Sequence, residues 1–265
     1  MTMSQETSCI SRLTLPPIIC LTGIDGCGKS THVRRVENWL AGDSLINIDV
    51  SPVNQDNERP ADNKKNADVF DEHTGGLSPR RIATLSVWDI TRLSKYHSHP
   101  FISDKRAIHE YLGKLSGPAR ALFILHALHE SLEAARQTGA TMIIADGYWY
   151  KYVFTEYLHG CDLEWLLAAV GAFPKPSITI MLDLPPEASW ARKPMVTPYE
   201  CGFAPPCEDA FLSFQRRLRA TLLDRASRDS WSIVPCNRPE AETAEAIHDI
   251  IIQKQREITT SLNKG

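Results

Sequence analysis

The chain has 265 residues, 43% hydrophobic and 23% charged, with a formal net charge of −3. That is enough for one large domain or one domain with an insertion, and the charge balance excludes a broadly basic nucleic-acid surface, leaving room only for a local basic cleft. No apolar run approaches the about 20 residues that span a bilayer.

In chain order, residues 1–16 lack the basic start and apolar core of a signal peptide and read as a polar, flexible tail. From 17 to 265 the expectation is a single domain. "PIICLTGID" (17–25) reads as a buried parallel strand ending in a glycine turn. A helix is predicted from Ser30, with Val33, Val36 and Leu40 on one face and Gly42 as its stop. Residues 44–50 suit a strand. They begin a polar insertion over about 43–80, rich in Pro, Asn and Asp. Residues 81–90 read as a strand, and 103–115 as a helix capped by Ser103 or Asp104. Pro118 and Gly139 bracket a long helix. "TMIIAD" (141–146) is a short buried strand ending in an acid. Two helices follow over 149–160 and 162–173, then a strand over 177–187. Residues 192–207 form an irregular Pro- and Gly-rich loop. A helix over 208–229, a strand over 230–237 and a helix over 240–258 complete the chain. Alternating short strands and helices predict an α/β fold with a parallel sheet of about five strands.

The cysteines number seven, with no Cys-x-x-Cys, so reduced thiols in the cytoplasm are the expectation.

Residues 23–30, "GIDGCGKS", fit G-x-x-x-x-G-K-[ST] between a strand and a helix. The glycines let backbone N–H groups turn toward phosphate oxygens, and the helix start adds its positive dipole end. The expected ATP site is Gly23, Asp25, Gly26, Cys27, Gly28, Lys29, Ser30 and Thr31. Lys29 would reach the β- and γ-phosphates, and Ser30 would ligate Mg²⁺ together with an acid at a strand end. Asp146 and Asp183 are the candidates. Asp146 is preferred for the metal, and Asp183 reads as a turn or cap residue. Cys27 is either a low-pKa thiol at a helix N-terminus or a small filler, and the filler is preferred. A guanine-reading Asn-Lys-x-Asp is absent: Asn63-Lys64-Lys65-Asn66 lacks the acid.

Four landmarks, spread over about residues 17–235, resemble the thymidylate kinase-like family of nucleoside monophosphate kinases. They are "TGIDGCGKST", "ALFILHALHESLEAARQTGATMIIADGY", "LDLPPEASWAR" and "FLSFQRRLRATLLDRAS". The resemblance implies transfer of the ATP γ-phosphoryl to a nucleoside monophosphate, with dTMP as the default acceptor, ATP and Mg²⁺ as cofactors, and a homodimer. It makes Asp25 the family's P-loop acid and, with Lys29 and Asp146, a catalytic candidate. Because Gly26-Cys27 carries no Arg, it also implies a catalytic cation in a lid, the loop over 192–207, with Arg192 as the candidate and Lys193 beside it. Arg216, Arg217 and Arg219 are substitutes, although helical spacing prevents all three from facing one way.

The acceptor side departs from the family. Its Asp-Arg-Tyr reads Asp146-Gly147-Tyr148 here, and the Asp-Arg pair after the stacking Phe aligns with His126-Ala127. Phe123, His126, Tyr148, Lys151, Arg92 and Glu156 are the expected acceptor-binding residues. Lys151 and Arg92 are candidates for the missing charge. Tyr148 begins an aromatic run; part of it could stack a ring, and most of it reads as core or dimer interface. Two alternatives stay open: a kinase for a non-standard nucleotide, nucleoside or other small acceptor, and a non-catalytic ATP-binding protein.

Overall fold

The computed structural model describes residues 16–42 and 81–262. The N-terminal tail, the strand expected at 44–50 and the insertion at 43–80 lie outside the described residues.

Five apolar segments form one parallel sheet: β1 (Ile18–Thr22), β2 (Ile82–Leu85), β3 (Met142–Asp146), β4 (Ile178–Asp183) and β5 (Ser232–Pro235), in the order β2-β3-β1-β4-β5. The near-continuous apolar character of β1, β3 and β4 follows from burial on both faces, whereas the edge strands β2 and β5 are partly exposed. β1 is buried throughout. The helices are α1 (Lys29–Leu40), α2 (Lys105–Leu112), α3 (Gly117–Gln137), α4 (Tyr148–Leu158), α5 (Leu163–Ala169), α6 (Pro186–Arg192), α7 (Glu208–Arg228) and α8 (Glu240–Leu262). None of the described helices is long and apolar enough to cross a membrane.

Local chemistry sets the element ends. Asp104 caps α2 by accepting the Ala107 N–H at 2.9 Å. Pro118 lies in the first turn of α3, and Gly139 takes φ +69° just past its end. The strand expected over 81–90 is shorter. It stops at Leu85, and Val87–Arg92 form a 3₁₀ turn. A capping box explains the stop: the Ser86 hydroxyl accepts the Trp88 N–H, and the Asp89 carboxylate accepts the Ser86 N–H at 2.7 Å. The strand expected over 177–187 ends at Asp183, because Pro185-Pro186 opens α6.

The register positions the site. Leu21 pairs with Asp146 and Thr22 with Met181, so β1 ends between β3 and β4. β1 is the central strand, and its carboxyl end runs into the glycine loop beside the ends of β3 and β4.

Two histidines, His32 buried and His159 half-buried, give this fold a pH dependence. Burial pushes His32 down to about 4 against the pull of Glu240, and burial with the Arg120 charge does the same for His159. His159 stacks on Phe214 with ring centroids 4.8 Å apart. The unfolded chain takes up these protons near pH 6.5, and the folded chain refuses them until about 4. Stability therefore falls as pH drops through that window. Urea unfolding of the wild type and of His159→Phe should show a shallower acid loss in the variant. Identical slopes would remove His159 from the account.

Candidate functional site

The loop after β1 is a tight cradle. Gly23, Gly26 and Gly28 take φ of +150°, +75° and +92°. A Cβ on Gly23 would lie 2.5 Å from the Leu182 carbonyl oxygen, an approach that only glycine permits. Gly28 starts α1 in a left-handed conformation without a side-chain cap, so the first N–H groups of α1 are left to a ligand. The Lys29 ammonium folds into the loop, donating to the carbonyls of Gly23 (3.2 Å) and Ile24 (2.7 Å) and approaching Cys27 Sγ at 3.7 Å. Burial pushes the Cys27 thiol up despite the pull of Lys29, which matches a filler rather than a reactive thiolate.

Asp146 ends β3 directly beside this loop, and the Gly147 N–H donates to the Leu21 carbonyl at 2.8 Å. The Ser30 hydroxyl donates to Asp146 Oδ2 at 2.5 Å. A hydroxyl and a carboxylate brought together at the mouth of a phosphate cradle are hard oxygen donors. They fit Mg²⁺, which takes few protein ligands and completes its shell with phosphate and water. Asp183, at the end of β4, is engaged elsewhere: Arg219 donates to both its oxygens at 2.6 and 2.8 Å.

Asp25 is the most heavily tied group in the loop. Its carboxylate pairs with the Lys151 ammonium and accepts from Gln215 Nε2 at 3.2 Å. Its N–H donates to Gln215 Oε1 (3.2 Å), and its carbonyl accepts from Ser189 Oγ (2.5 Å). Burial alone would raise this carboxyl, but the ammoniums of Lys151 and Lys29 outweigh it and hold it far below the usual carboxylate range. Lys151 is held above its usual value, because Asp25 overcomes the opposing effect of burial. The Lys151 stem runs beside Gly147: a Cβ there would be 3.7 Å from Lys151 Cδ and 3.9 Å from Lys29 Cε. Lys151 thus brings a cation next to the position where the family pattern has an arginine.

The remaining acceptor candidates divide. Phe123 is half-buried, with its ring edge-on to Tyr111 at 5.2 Å. His126 is exposed and shares a hydrogen bond with the Tyr96 hydroxyl at 3.2 Å. Arg92 is largely exposed and pairs with Asp89 on its own turn at 2.9 Å. Tyr148 is turned into the core: it is fully buried and donates to the Pro174 carbonyl at 3.0 Å. The positive φ of Gly147 (+83°) and of Tyr148 itself (+44°) turns the chain into α4 at this point. Glu156 is also buried, and a partner that went unrecognised in the sequence engages it. Arg120 Nε lies 3.0 Å from both carboxylate oxygens, Arg120 Nη2 lies 2.8 Å from Oε2, and the Tyr199 hydroxyl donates to Oε1 at 2.9 Å.

Tyr199 belongs to the lid, where Pro198–Cys201 form a 3₁₀ turn. This loop, expected to act as a lid, packs down on the cluster. The Phe203 ring lies 4.4 Å from the Arg120 guanidinium, and His159 packs against both Tyr199 and Phe203. Arg192 does not reach the loop. It donates to the Cys236 carbonyl at 3.1 Å, because the end of α6 faces the segment after β5. Lys193 is the lid cation over the cradle: a Cβ on Gly26 would lie 3.2 Å from its stem, and its ammonium pairs with Glu200 at 2.8 Å. Arg216 pairs with Glu187, Arg219 with Asp183, and Arg217 is exposed. The substitute arginines therefore serve α7 and its neighbours.

Gln215, Ser189, Arg120 and Tyr199 were missed by sequence reasoning. For two of them a signal existed. Gln215 falls on the same helical face as Phe211, Leu218 and Leu222, and Arg120 on the face of Ile124 and Leu128. A polar residue in an apolar stripe signals a buried polar partner.

Comparison with known proteins gave no matching family model. Curated relatives do match. A probable thymidylate kinase of Pyrococcus horikoshii is 27% identical over 175 residues, covering 66% of this chain and 68% of the relative. Those of Thermococcus onnurineus and Thermococcus kodakarensis are each 27% identical, over 66% of this chain and 69% of the relative. These similarities support a thymidylate kinase-like family and a phosphotransferase, on a parallel α/β sheet that fits a P-loop nucleotide kinase.

Proposed function

We propose that this chain is an ATP- and Mg²⁺-dependent nucleoside monophosphate kinase, with dTMP or a related nucleotide as the acceptor. The observation that carries the reading is the Ser30 hydroxyl 2.5 Å from Asp146, next to a glycine cradle that encloses the Lys29 ammonium. The similarity to probable thymidylate kinases supports it.

In this reading the cradle N–H groups from Gly23 to Thr31 bind the donor phosphates, and Lys29 exchanges its two loop carbonyls for phosphate oxygens. Ser30 and Asp146 would hold a Mg²⁺, which would supply neutralisation of phosphate charge. Asp25 fixes Lys151 where the acceptor phosphate approaches, and Lys193 adds charge from the lid. Phoshoryl transfer of this kind depends on positioning and charge neutralisation more than on covalent chemistry. Phe123 offers a ring edge or face to the acceptor base. The same family resemblance implies a homodimer, and the reading of the cysteines as reduced thiols places the protein in the cytoplasm.

A non-standard acceptor is the second reading. Gly147 in place of the family arginine favours it, as does the closed Arg120–Glu156–Tyr199 cluster where an acceptor contact was expected from Glu156.

The test is an ATP/Mg²⁺ transfer assay over dTMP, dUMP, UMP, CMP, dCMP, AMP, GMP and thymidine. Turnover of a monophosphate is expected, with Lys151→Ala raising the acceptor KM by roughly tenfold or more, a loss the size of one charge-assisted contact. Turnover of thymidine alone would shift the reading to a nucleoside acceptor. ATP binding without turnover of any compound would remove the nucleotide-kinase reading.

A further inference from the structure

Gln215 is completely buried, and the mechanism above gives it no part. Its amide joins three elements. Oε1 accepts the Asp25 N–H at 3.2 Å, while Nε2 donates to Asp25 Oδ2 at 3.2 Å and to the Glu200 carbonyl at 2.9 Å. The chemistry fixes the orientation of the amide. A backbone N–H only donates, and a carboxylate and a carbonyl only accept, so the amide oxygen and nitrogen cannot exchange places.

We propose that Gln215 is a positioning residue that aims the Asp25 carboxylate at Lys151 and links that aim to closure of the lid. The inference rests on the phosphotransferase reading and deepens it. With Oδ2 pinned by Gln215, Oδ1 is left to the Lys151 ammonium. Glu200 completes the link to the lid. Its carbonyl takes the second Gln215 hydrogen, while its carboxylate holds Lys193 and closes the capping box on Thr197. A lid that lifts must give up the Glu200 carbonyl bond, and it then leaves Gln215 free to rotate and Asp25 less constrained. Ser189 on α6 steadies the Asp25 backbone from the other side. No apolar side chain reproduces this arrangement. An ionised carboxylate at 215 would set negative charge against Asp25 and leave the Asp25 N–H as its only matched partner.

The test compares Gln215→Glu with Gln215→Met in the full chain, with melting temperature confirming that both fold. A carboxyl introduced at 215 meets Asp25 and the Glu200 backbone directly, and Lys151, Lys29 and Lys193 are the charges that act on the Asp25 carboxylate beside it. The adjacent Asp25 carboxylate favours its protonated form. Protonated, that carboxyl offers one acceptor and one donor and restores both bonds to Asp25. Transfer activity of Gln215→Glu relative to wild type is therefore expected to recover at least tenfold as pH falls from about 8 to about 5.5. Gln215→Met stays impaired at every pH, mainly in kcat. Independently of turnover, Gln215→Met should speed hydrogen exchange of the Asp25 amide by more than tenfold without changing that of Cys20 in β1, and should raise the titration of the Asp25 carboxyl. Equal, pH-independent losses in both variants, with Asp25 exchange unchanged, would reduce Gln215 to core filling. If the wild type turned over no acceptor, the phosphotransferase reading would fall, and the exchange and titration measurements would still decide the role of Gln215.

Discussion

Lys29→Ala is expected to lower phosphoryl transfer by about 10³-fold, the upper end of what one preorganised donor to developing charge contributes. The ammonium is the charged group at the centre of the cradle, and its resting partners are two backbone carbonyls. Neutral acceptors of this kind are easily exchanged for phosphate oxygens, because no buried carboxylate has to be given up. Lys29→Met keeps the stem packed and separates charge from filling, so both variants should be similarly inactive while Lys29→Met keeps more stability. Asp146→Asn is the companion, removing the charge beside Ser30 while leaving a side-chain oxygen. It should raise the Mg²⁺ concentration needed for half-maximal rate and lower the rate. Circular dichroism and urea midpoints control for folding. If Lys29→Ala retained activity within about tenfold of wild type, the loop would not be the phosphate site.

Arg120→Ala is expected to cost about 3–5 kcal/mol of stability, the range for removing one partner of a buried ion pair. Arg120 and Glu156 are 6% and 1% exposed at their side chains and meet through a bidentate fork. Truncation strands the Glu156 carboxylate in the core with the Tyr199 hydroxyl and a distant Cys161 thiol as its polar neighbours. Burial already pushes Glu156 up against the opposing pull of Arg120. Without the arginine the carboxyl moves higher still, and it regains neutrality as pH falls. The stability gap between variant and wild type should therefore narrow toward low pH. The paired change Arg120→Met with Glu156→Leu removes both charges and should lie within about 1–2 kcal/mol of wild type, since apolar replacement of a buried pair is often neutral. A small loss in Arg120→Ala at pH 7 would show that the pair is not shielded from water. The same variant frees the Phe203 ring and leaves Tyr199 bonded to a carboxylate that is no longer anchored. Protease sensitivity between 193 and 207 should then rise, reporting that this pair holds the lid down.

The phosphate loop was legible from residue types alone. Glycines at 23 and 28, Lys29 and Ser30 encode local geometry, and a turn between a strand and a helix needs no distant partner to take its shape. The strands and most helices were legible for the same reason: apolar runs and capping residues act over a few positions. The 3₁₀ turn after β2 escaped because its capping box, Ser86 with Asp89, sits inside an apolar run that reads as strand.

Burial direction was not legible. Tyr148 follows the acid of the site and yet points into the core, because the positive φ of Gly147 and of Tyr148 turns the chain there. Nor was partnership. Asp25 and Gln215 are separated by 190 residues, Lys151 and Asp25 by 126, and Arg120 and Glu156 by 36. The sequence by itself determined the parallel α/β sheet, the phosphate cradle and the candidacy of Asp146. Only the tertiary structure decided that Lys151 rather than Arg92 reaches the cradle, that Lys193 rather than Arg192 covers it, and that Glu156 is bound by Arg120. A charged side chain settles on whichever opposite charge the fold brings near it in a water-poor site, and that choice is made by packing across the sheet rather than by spacing along the chain.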